Sequence, residues 1–169
     1  MRIGYFLSCE EYAPAQLIEQ ARLAQDAGFQ GLWISDHYHP WNDEQGQSPF
    51  VWSIIGALSR VVTIPITTAV TCPIQRIHPA IVAQAAATSA VLHDGRFILG
   101  VGSGEALNEQ ASELVTPERT AKAIACGPDP AAQASFLRQY EDAGFDEVYV
   151  ANVGPHYAEL IDLYRKEFL

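Results

Sequence analysis

Residues 25–41 read QDAGFQGLWISDHYHPW, and the order of their parts points to the fold. Gln25 to Ala27 finish a polar segment of helical character, Gly28 stands where a helix C-cap needs a left-handed residue, and an apolar run then begins. That run, FQGLWIS, does not alternate cleanly between apolar and polar, which predicts a strand covered on both faces, as in a parallel sheet. It stops abruptly at Asp36, His37, His39 and Trp41, where a chain is expected to turn into polar solvent. In parallel α/β folds ligands gather at the C-terminal ends of strands, so this stop marks a candidate site.

The same unit occurs again near the end of the chain. Residues 141–151, EDAGFDEVYVA, share the helix end, the Ala-Gly-Phe turn and the buried strand. The spacing is far from a solenoid period, so repeated β/α packing accounts for the echo better than a tandem array. Between the two copies the pattern continues. Arg2–Leu7 is β-prone, and Pro14 opens a helix with Leu17, Ile18, Ala21 and Ala24 on one face. Phe50–Leu58 is helical in character, VVTIPITTAV is rich in β-branched residues, Pro79 precedes an Ala-rich helix to Leu92, and RFILGVGSG is a fourth strand running into glycines. PERTAKAIA and the helix after CGPDP follow with no strand between them, then the fifth strand and a terminal helix over 155–167. The fold class is α/β with about five parallel strands and alternating helices. A closed (β/α) barrel has eight strands and usually about 250 residues, so an incomplete barrel is predicted.

Composition narrows the function. With 169 residues, 49 % hydrophobic and 18 % charged, the chain reads as one soluble globular domain over 1–169. A formal net charge of −10 without any Lys/Arg run argues against nucleic acid or an anionic membrane as partner. The apolar stretch in MRIGYFLSCEEY is too short for a signal peptide, and no window is long enough to span a membrane, so a cytoplasmic location is expected. Cys9, Cys72 and Cys126 form no CxxC pair, which favours buried thiols over a disulfide framework or a structural zinc site.

The residues at which the strands stop would face one rim: Ser8, Glu10 and Glu11 after the first; Asp36, His37 and Trp41 after the second; Thr71, Cys72 and Arg76 after the third; Ser103, Glu105 and Asn108 after the fourth. Histidine titrates near neutrality and a carboxylate can be tuned by its surroundings, so His37 and Glu105 form a candidate base and acid pair. A strand-end histidine is equally a structural hydrogen-bonding group when taken alone. Metal binding by His37 and His39 is the weaker proposal, because i, i+2 side chains point opposite ways in a strand and no third ligand is evident. GVGSGEALNE has the wrong spacing for a dinucleotide loop; its glycines instead let a planar ligand or a neighbouring backbone approach closely. Trp41 reads either as core or as an aromatic wall.

Taken together, SDHYHPW, TTAVTCPIQRIHPAIVAQAAATSAVLHDGRFILGVGSGEALNE and CGPDPAAQASFLRQYEDAGFDEVYVANVGP closely resemble the luciferase-like oxidoreductases that use the deazaflavin coenzyme F420, and most of all their glucose-6-phosphate dehydrogenase-like branch. The resemblance implies a TIM barrel whose strand ends hold F420, with hydride passing between a substrate carbinol carbon and the ring. It also implies that His37 acts on the substrate hydroxyl proton, that Glu105 serves as acid toward the cofactor, and that Trp41 stabilises the reacting state. Asp36, Ala69, Val70, Ser103, Gly104 and Asn108 then fall on cofactor-contacting positions, and a non-proline cis peptide maps to Ala69–Val70. Residues 1–108 resemble the first four β/α units and 111–169 the C-terminal unit. The join lies around Asn108–Ala111, where relatives carry an internal block with the fifth to seventh strands and the basic residues that hold a sugar phosphate. Arg76 remains as a candidate anion contact.

Three expectations follow from this pattern. The first is an F420-dependent oxidoreductase acting on a small-molecule alcohol, active as a homodimer because an open parallel sheet exposes edges and an apolar face. The second, from a different class, is a non-catalytic remnant that serves as an assembly partner. The third is an FMN-dependent luciferase-like monooxygenase.

Overall fold

The computed structural model describes residues 1–73, 76–103, 125 and 127–169. In chain order its elements are β1 (Arg2–Leu7), α1 (Pro14–Ala27), β2 (Leu32–Ile34), α2 (Val51–Leu58), β3 (Ile66–Thr68), α3 (Pro79–Leu92), β4 (Phe97–Ile98), α4 (Pro130–Asp142), β5 (Glu147–Ala151) and α5 (Tyr157–Glu167). All pairings are parallel, and the strand order is β4-β3-β2-β1-β5. The last strand thus lies against the first, the place a closing strand occupies in a barrel, and the sheet is an incomplete arc of that architecture.

Local chemistry accounts for the helix ends. Pro14 sits at the start of α1, where its missing N–H costs nothing, and the Gln16 side chain accepts from the Ala13 N–H at 3.0 Å. At the other end Gly28 has φ 106°, and its N–H reaches the carbonyls of Ala24 and Gln25. The His78 Nδ1 accepts from the Ala80 N–H at the head of α3, and Asp129 does the same for Ala131 at the head of α4.

The core lies between one face of the sheet and the helices. Tyr5, Leu7, Leu32, Ile34 and Ile66 point into it and meet Leu17, Ala21 and Ala24 of α1 and Ile55 and Leu58 of α2, all fully buried. Each buried Leu or Ile contributes about 1.5–3 kcal/mol relative to exposure. Tyr5 also donates from its hydroxyl to Gln20 Oε1 at 2.9 Å, and burial pushes its pKa far above the ordinary range.

The opposite face differs from the sequence expectation that β2 is covered on both sides. Gly4, Phe6, Trp33, Thr67, Ile98 and Tyr149 lie on it; Trp33 and Ile98 are exposed, and β2 alternates buried, exposed, buried. The Trp33 and Tyr149 rings stack at 4.3 Å and 12° across β1, possible only because the residue between them is Gly4, where a Cβ would lie 2.2 Å from the Tyr149 ring. Two expected strands are also shorter than their apolar runs. Pro65 offers no N–H and the VVTIPITTAV ladder is confined to Ile66–Thr68, while RFILGVGSG contributes Phe97–Ile98 and an isolated bridge from Val101 to Thr71. The helix expected over PERTAKAIA lies outside the described residues, apart from Ala125. Among the described residues no helix is long and apolar enough to cross a membrane.

Candidate functional site at the strand ends

The register of the sheet assembles the site. Leu7 pairs with Ile34 in the β1–β2 ladder; the same offset carried three residues further sets Glu10 opposite His37. Between them the chain past β1 turns back on itself, with the Glu11 and Tyr12 N–H groups donating to the Ser8 carbonyl. Glu10 is consequently only 3 % exposed. Its Oε2 accepts from Ser8 Oγ at 2.9 Å and from Ser35 Oγ at 2.8 Å, while Oε1 faces His37 Nε2 at 3.7 Å and has no hydrogen bond of its own. Ser35 is held in turn by the Cys9 N–H, which donates to its oxygen at 2.8 Å.

His37 is fixed from two further directions. Ser48 Oγ donates to its carbonyl at 2.7 Å, and the Trp41 ring lies 5.1 Å from the imidazole, tilted by 51°. Trp41 is exposed, which removes the core reading open to the sequence. Asp36 points elsewhere: its nearly buried carboxylate accepts from Thr71 Oγ1 at 2.8 Å and is paired with Arg76. Arg76, expected as an anion contact, therefore already holds a carboxylate. His39 packs edge-on against Tyr38, and no group of three or more His, Cys, Asp or Glu able to hold a metal occurs among the described residues.

The third and fourth strand ends form the wall beyond. The Ala69–Val70 peptide is cis, at the position the resemblance implies. A Cβ on Gly100 would come within 1.9 Å of the Thr68 carbonyl oxygen, so this glycine serves close backbone approach, the second of the two roles open to the glycine run. Gly102 lies against Val70, where a Cβ would stand 2.6 Å from Cγ2, and the chain passes the cis step with no side chain between. Thr71 closes this wall, accepting from the Gly102 N–H at 3.0 Å and donating its own N–H to the Gly100 carbonyl at 2.9 Å. Val70 and Ser103 are exposed on it. Glu105, Gly104 and Asn108 lie outside the described residues. His37, Trp41 and Asp36 are thus brought to one rim with the Ala69–Val70 step.

Glu10 is the residue that sequence reasoning set on the rim but gave no role. Its signal was available in SCEEY directly after β1, yet two adjacent glutamates gave no reason to choose between them. The structure separates them: Glu10 turns inward to His37, whereas Glu11 accepts from the Gly154 N–H at 3.0 Å. Beside it Tyr12 donates to the Gly154 carbonyl at 2.7 Å and accepts from Asn152 Nδ2 at 2.7 Å. The loop after β5 is thereby clasped to the loop that carries Glu10.

A parallel arc of β/α units with a histidine, a buried carboxylate and an exposed tryptophan at its strand ends defines a barrel-type α/β protein. The family model for luciferase-like monooxygenases matches residues 1–123, and the chain belongs to that family. It is 46 % identical over 111 residues to an F420-dependent hydroxymycolic acid dehydrogenase of Mycobacterium tuberculosis, a match covering 65 % of this chain and 31 % of that protein. It is 44 % identical over 112 residues to an F420-dependent glucose-6-phosphate dehydrogenase of Amycolatopsis mediterranei, covering 66 % and 34 %. The chain therefore spans about a third of the length of the curated relatives it matches. Among solved structures, an F420-dependent secondary alcohol dehydrogenase in complex with an F420-acetone adduct is 43 % identical, with a TM-score of 0.59 over 69 % of this chain and 36 % of that one. A Baeyer-Villiger monooxygenase component from Pseudomonas putida in complex with FMN, 23 % identical with a TM-score of 0.51 over 68 % of this chain and 32 % of that one, shares the fold.

Proposed function

We propose that this chain is an F420-dependent oxidoreductase that passes a hydride between the carbinol carbon of a small-molecule alcohol and the deazaflavin. The observation that carries the reading is the Glu10 carboxylate, buried and 3.7 Å behind His37 Nε2 at the end of a parallel strand. An alcohol oxidation releases one hydride from carbon and one proton from oxygen. His37 takes the proton, and Glu10 Oε1 balances the charge that appears on the ring. Trp41 walls the imidazole from one side, which limits where the hydroxyl can sit and keeps water from it. Bound F420 supplies the hydride acceptor. Val70 at the cis step and Ser103 fit its planar ring, since Gly102 leaves no side chain across the wall they share. The chain's similarity to F420-dependent dehydrogenases supports F420 over FMN, whose bound form appears here only in a distant neighbour.

Titration of the purified chain with F420, followed by absorbance and fluorescence, tests the reading. Saturable micromolar binding is expected, with FMN binding more weakly. A folded protein that binds no F420 overturns it. Under this reading His37→Ala and Glu105→Ala each abolish turnover, and unchanged turnover in either removes that residue from its role.

A homodimer belongs to the same proposal. Among the described residues the open face with Trp33 and Ile98 and the outer edge of β5 offer apolar surface and backbone that a second copy covers at little cost. Sedimentation at micromolar concentration checks this, and a stable, well-folded monomer counts against it. The second reading is an assembly partner without turnover. Its mark is a dimer or mixed assembly that binds no F420.

A further inference from the structure

Among the described residues the sheet ends on each side in an open strand edge, β4 at one end and β5 at the other. The Asp146 carbonyl accepts from the Arg2 N–H at 2.7 Å, so alternation along β5 turns the backbone groups of Glu147, Tyr149 and Ala151 outward. At the opposite end the Arg96 and Gly100 carbonyls accept from the Ile66 and Thr71 N–H groups, which turns Phe97, Leu99 and Val101 outward. Both edges thus present backbone groups at the same i, i+2, i+4 spacing. Beyond β5 lies a groove of about 350 Å³ with Glu147–Ala151 along one wall. Gln133, Phe136, Leu137 and Tyr140 of α4 form the other wall, at the i, i+3, i+4, i+7 spacing of one helical face. A strand edge roofed by a largely apolar helix face is a slot for one more strand.

We infer that this slot takes β4 of a second copy of the chain, paired parallel to β5. The inference rests on the homodimer reading above and adds its edges, its polarity and its effect on the site. Three observations select β4. It is the strand that, besides β5 itself, has an open side among the described residues. Its Phe97 and Leu99 pack on the helix side of the sheet, so in the slot they meet Phe136, Leu137 and Tyr140, apolar against apolar. Charge sets the direction: Asp142 and Asp146 stand exposed at the start of β5, Arg96 precedes β4, and parallel pairing brings them together. Pairing β5 with β5 would instead set two α4 helices over one pair of strands. Two β4–β5 contacts related by a two-fold axis use both edges of both copies, so assembly closes at a dimer instead of growing into a fibre. Parallel pairing also joins the strand ends that carry the site. The Asn152–Gly154 loop of one copy, with Val153 85 % exposed, comes beside the Gly102–Ser103 wall of the other, so each site is bounded by both copies.

Sedimentation of the full chain at micromolar concentration, with hydrogen exchange on the same samples, tests the inference. A dimer is expected in which the Glu147, Tyr149 and Ala151 amides are protected. Ala151→Pro removes an outward N–H, leaves the β1 ladder in place, and is expected to weaken dimerisation about tenfold. Asp146→Lys and Arg96→Glu are each expected to weaken it about fivefold, and the double variant to restore it to within about twofold. Such restoration is something a merely destabilised strand does not show, and Asp146, exposed at the surface, guards against a variant that fails to fold. A dimer unmoved by Ala151→Pro and by Asp146→Lys, or a double variant no tighter than the single ones, removes this interface and leaves the homodimer reading standing. A well-folded monomer removes both, including one whose β5 amides are protected by the chain's own residues. Assemblies of more than two copies overturn the closed pair.

Discussion

The two halves of the repeated unit, residues 25–35 and 141–151, carry nearly the same local instructions and meet different fates. Both turn through a left-handed glycine, Gly28 at φ 106° and Gly144 at φ 85°, and both enter a parallel strand beside β1. Their aromatic strand residues, Trp33 and Tyr149, occupy equivalent places and stack on each other. Yet Phe29 is 1 % exposed, wedged between Tyr5 and Tyr164, whereas Phe145 is 55 % exposed and meets Tyr140 edge-on. Ile34 and Leu32 are fully buried; Val148 and Val150 are half-buried. Local sequence sets the turn and the strand, and the neighbours on each side decide what those are worth. The first copy sits inside the sheet, and the second lies at its edge.

The largest expected contrast is between the two phenylalanines. Phe29→Ala should cost about 3–5 kcal/mol in urea unfolding, and Phe145→Ala less than about 1. Equal losses would mean that the β5 edge is covered in solution, as a dimer through that edge requires. Next comes the ring stack that joins the copies. Trp33→Ala and Tyr149→Ala in a double-mutant cycle should show a coupling of about 0.5–1.5 kcal/mol, and additive losses would remove the stack as a bond between the units.

The glycines should behave alike despite their different settings. Gly28→Ala and Gly144→Ala each place a side chain at positive φ and should each cost about 1 kcal/mol, visible as similar shifts in the urea midpoint. A much larger loss at Gly28 would show that burial governs the turn as well. The smallest effect at ordinary pH concerns Cys9, whose N–H holds Ser35 at the end of the first copy. Burial, first, and then the nearby Glu10 push its thiol up to about 12. A raised value favours the protonated form in the folded state, so its contribution is complete below the ordinary thiol range near 9 and is lost as pH climbs toward 12. Cys9→Ala should flatten the alkaline limb of a pH-stability curve between those values and leave pH 7 unchanged apart from the packing lost.

Most of the architecture could be read from residues because its signals are local. Pro14 and Gly28 bound α1, Pro79 and Leu92 bound α3, and Asp129 heads α4. What could not be read depends on distant partners. The run LWIS looks covered on both faces, since apolar content alone does not say whether a facing layer is present. At the site, Asp36, His37 and Trp41 were recognisable as the place where a buried strand stops. The Glu10–His37 pair was not, because it arises from the register of two strands, which no single run of sequence states. Nor could the Arg76–Asp36 pair be read from residue type, because it joins the ends of two different strands.

The pairing of β5 with β1 has a consequence in time. Arg2 and Glu147, which meet as an ion pair at the start of that ladder, are separated by 145 residues of chain. At a synthesis rate of about 5–20 residues per second, roughly 7–30 s pass between the appearance of one and of the other. Throughout that interval β1 has one neighbour, and its other side is an open template for any extended chain nearby. The nascent protein is therefore most in need of a chaperone before Glu147–Ala151 emerge, and a ribosome that slows on the codons leading to them lengthens the exposure.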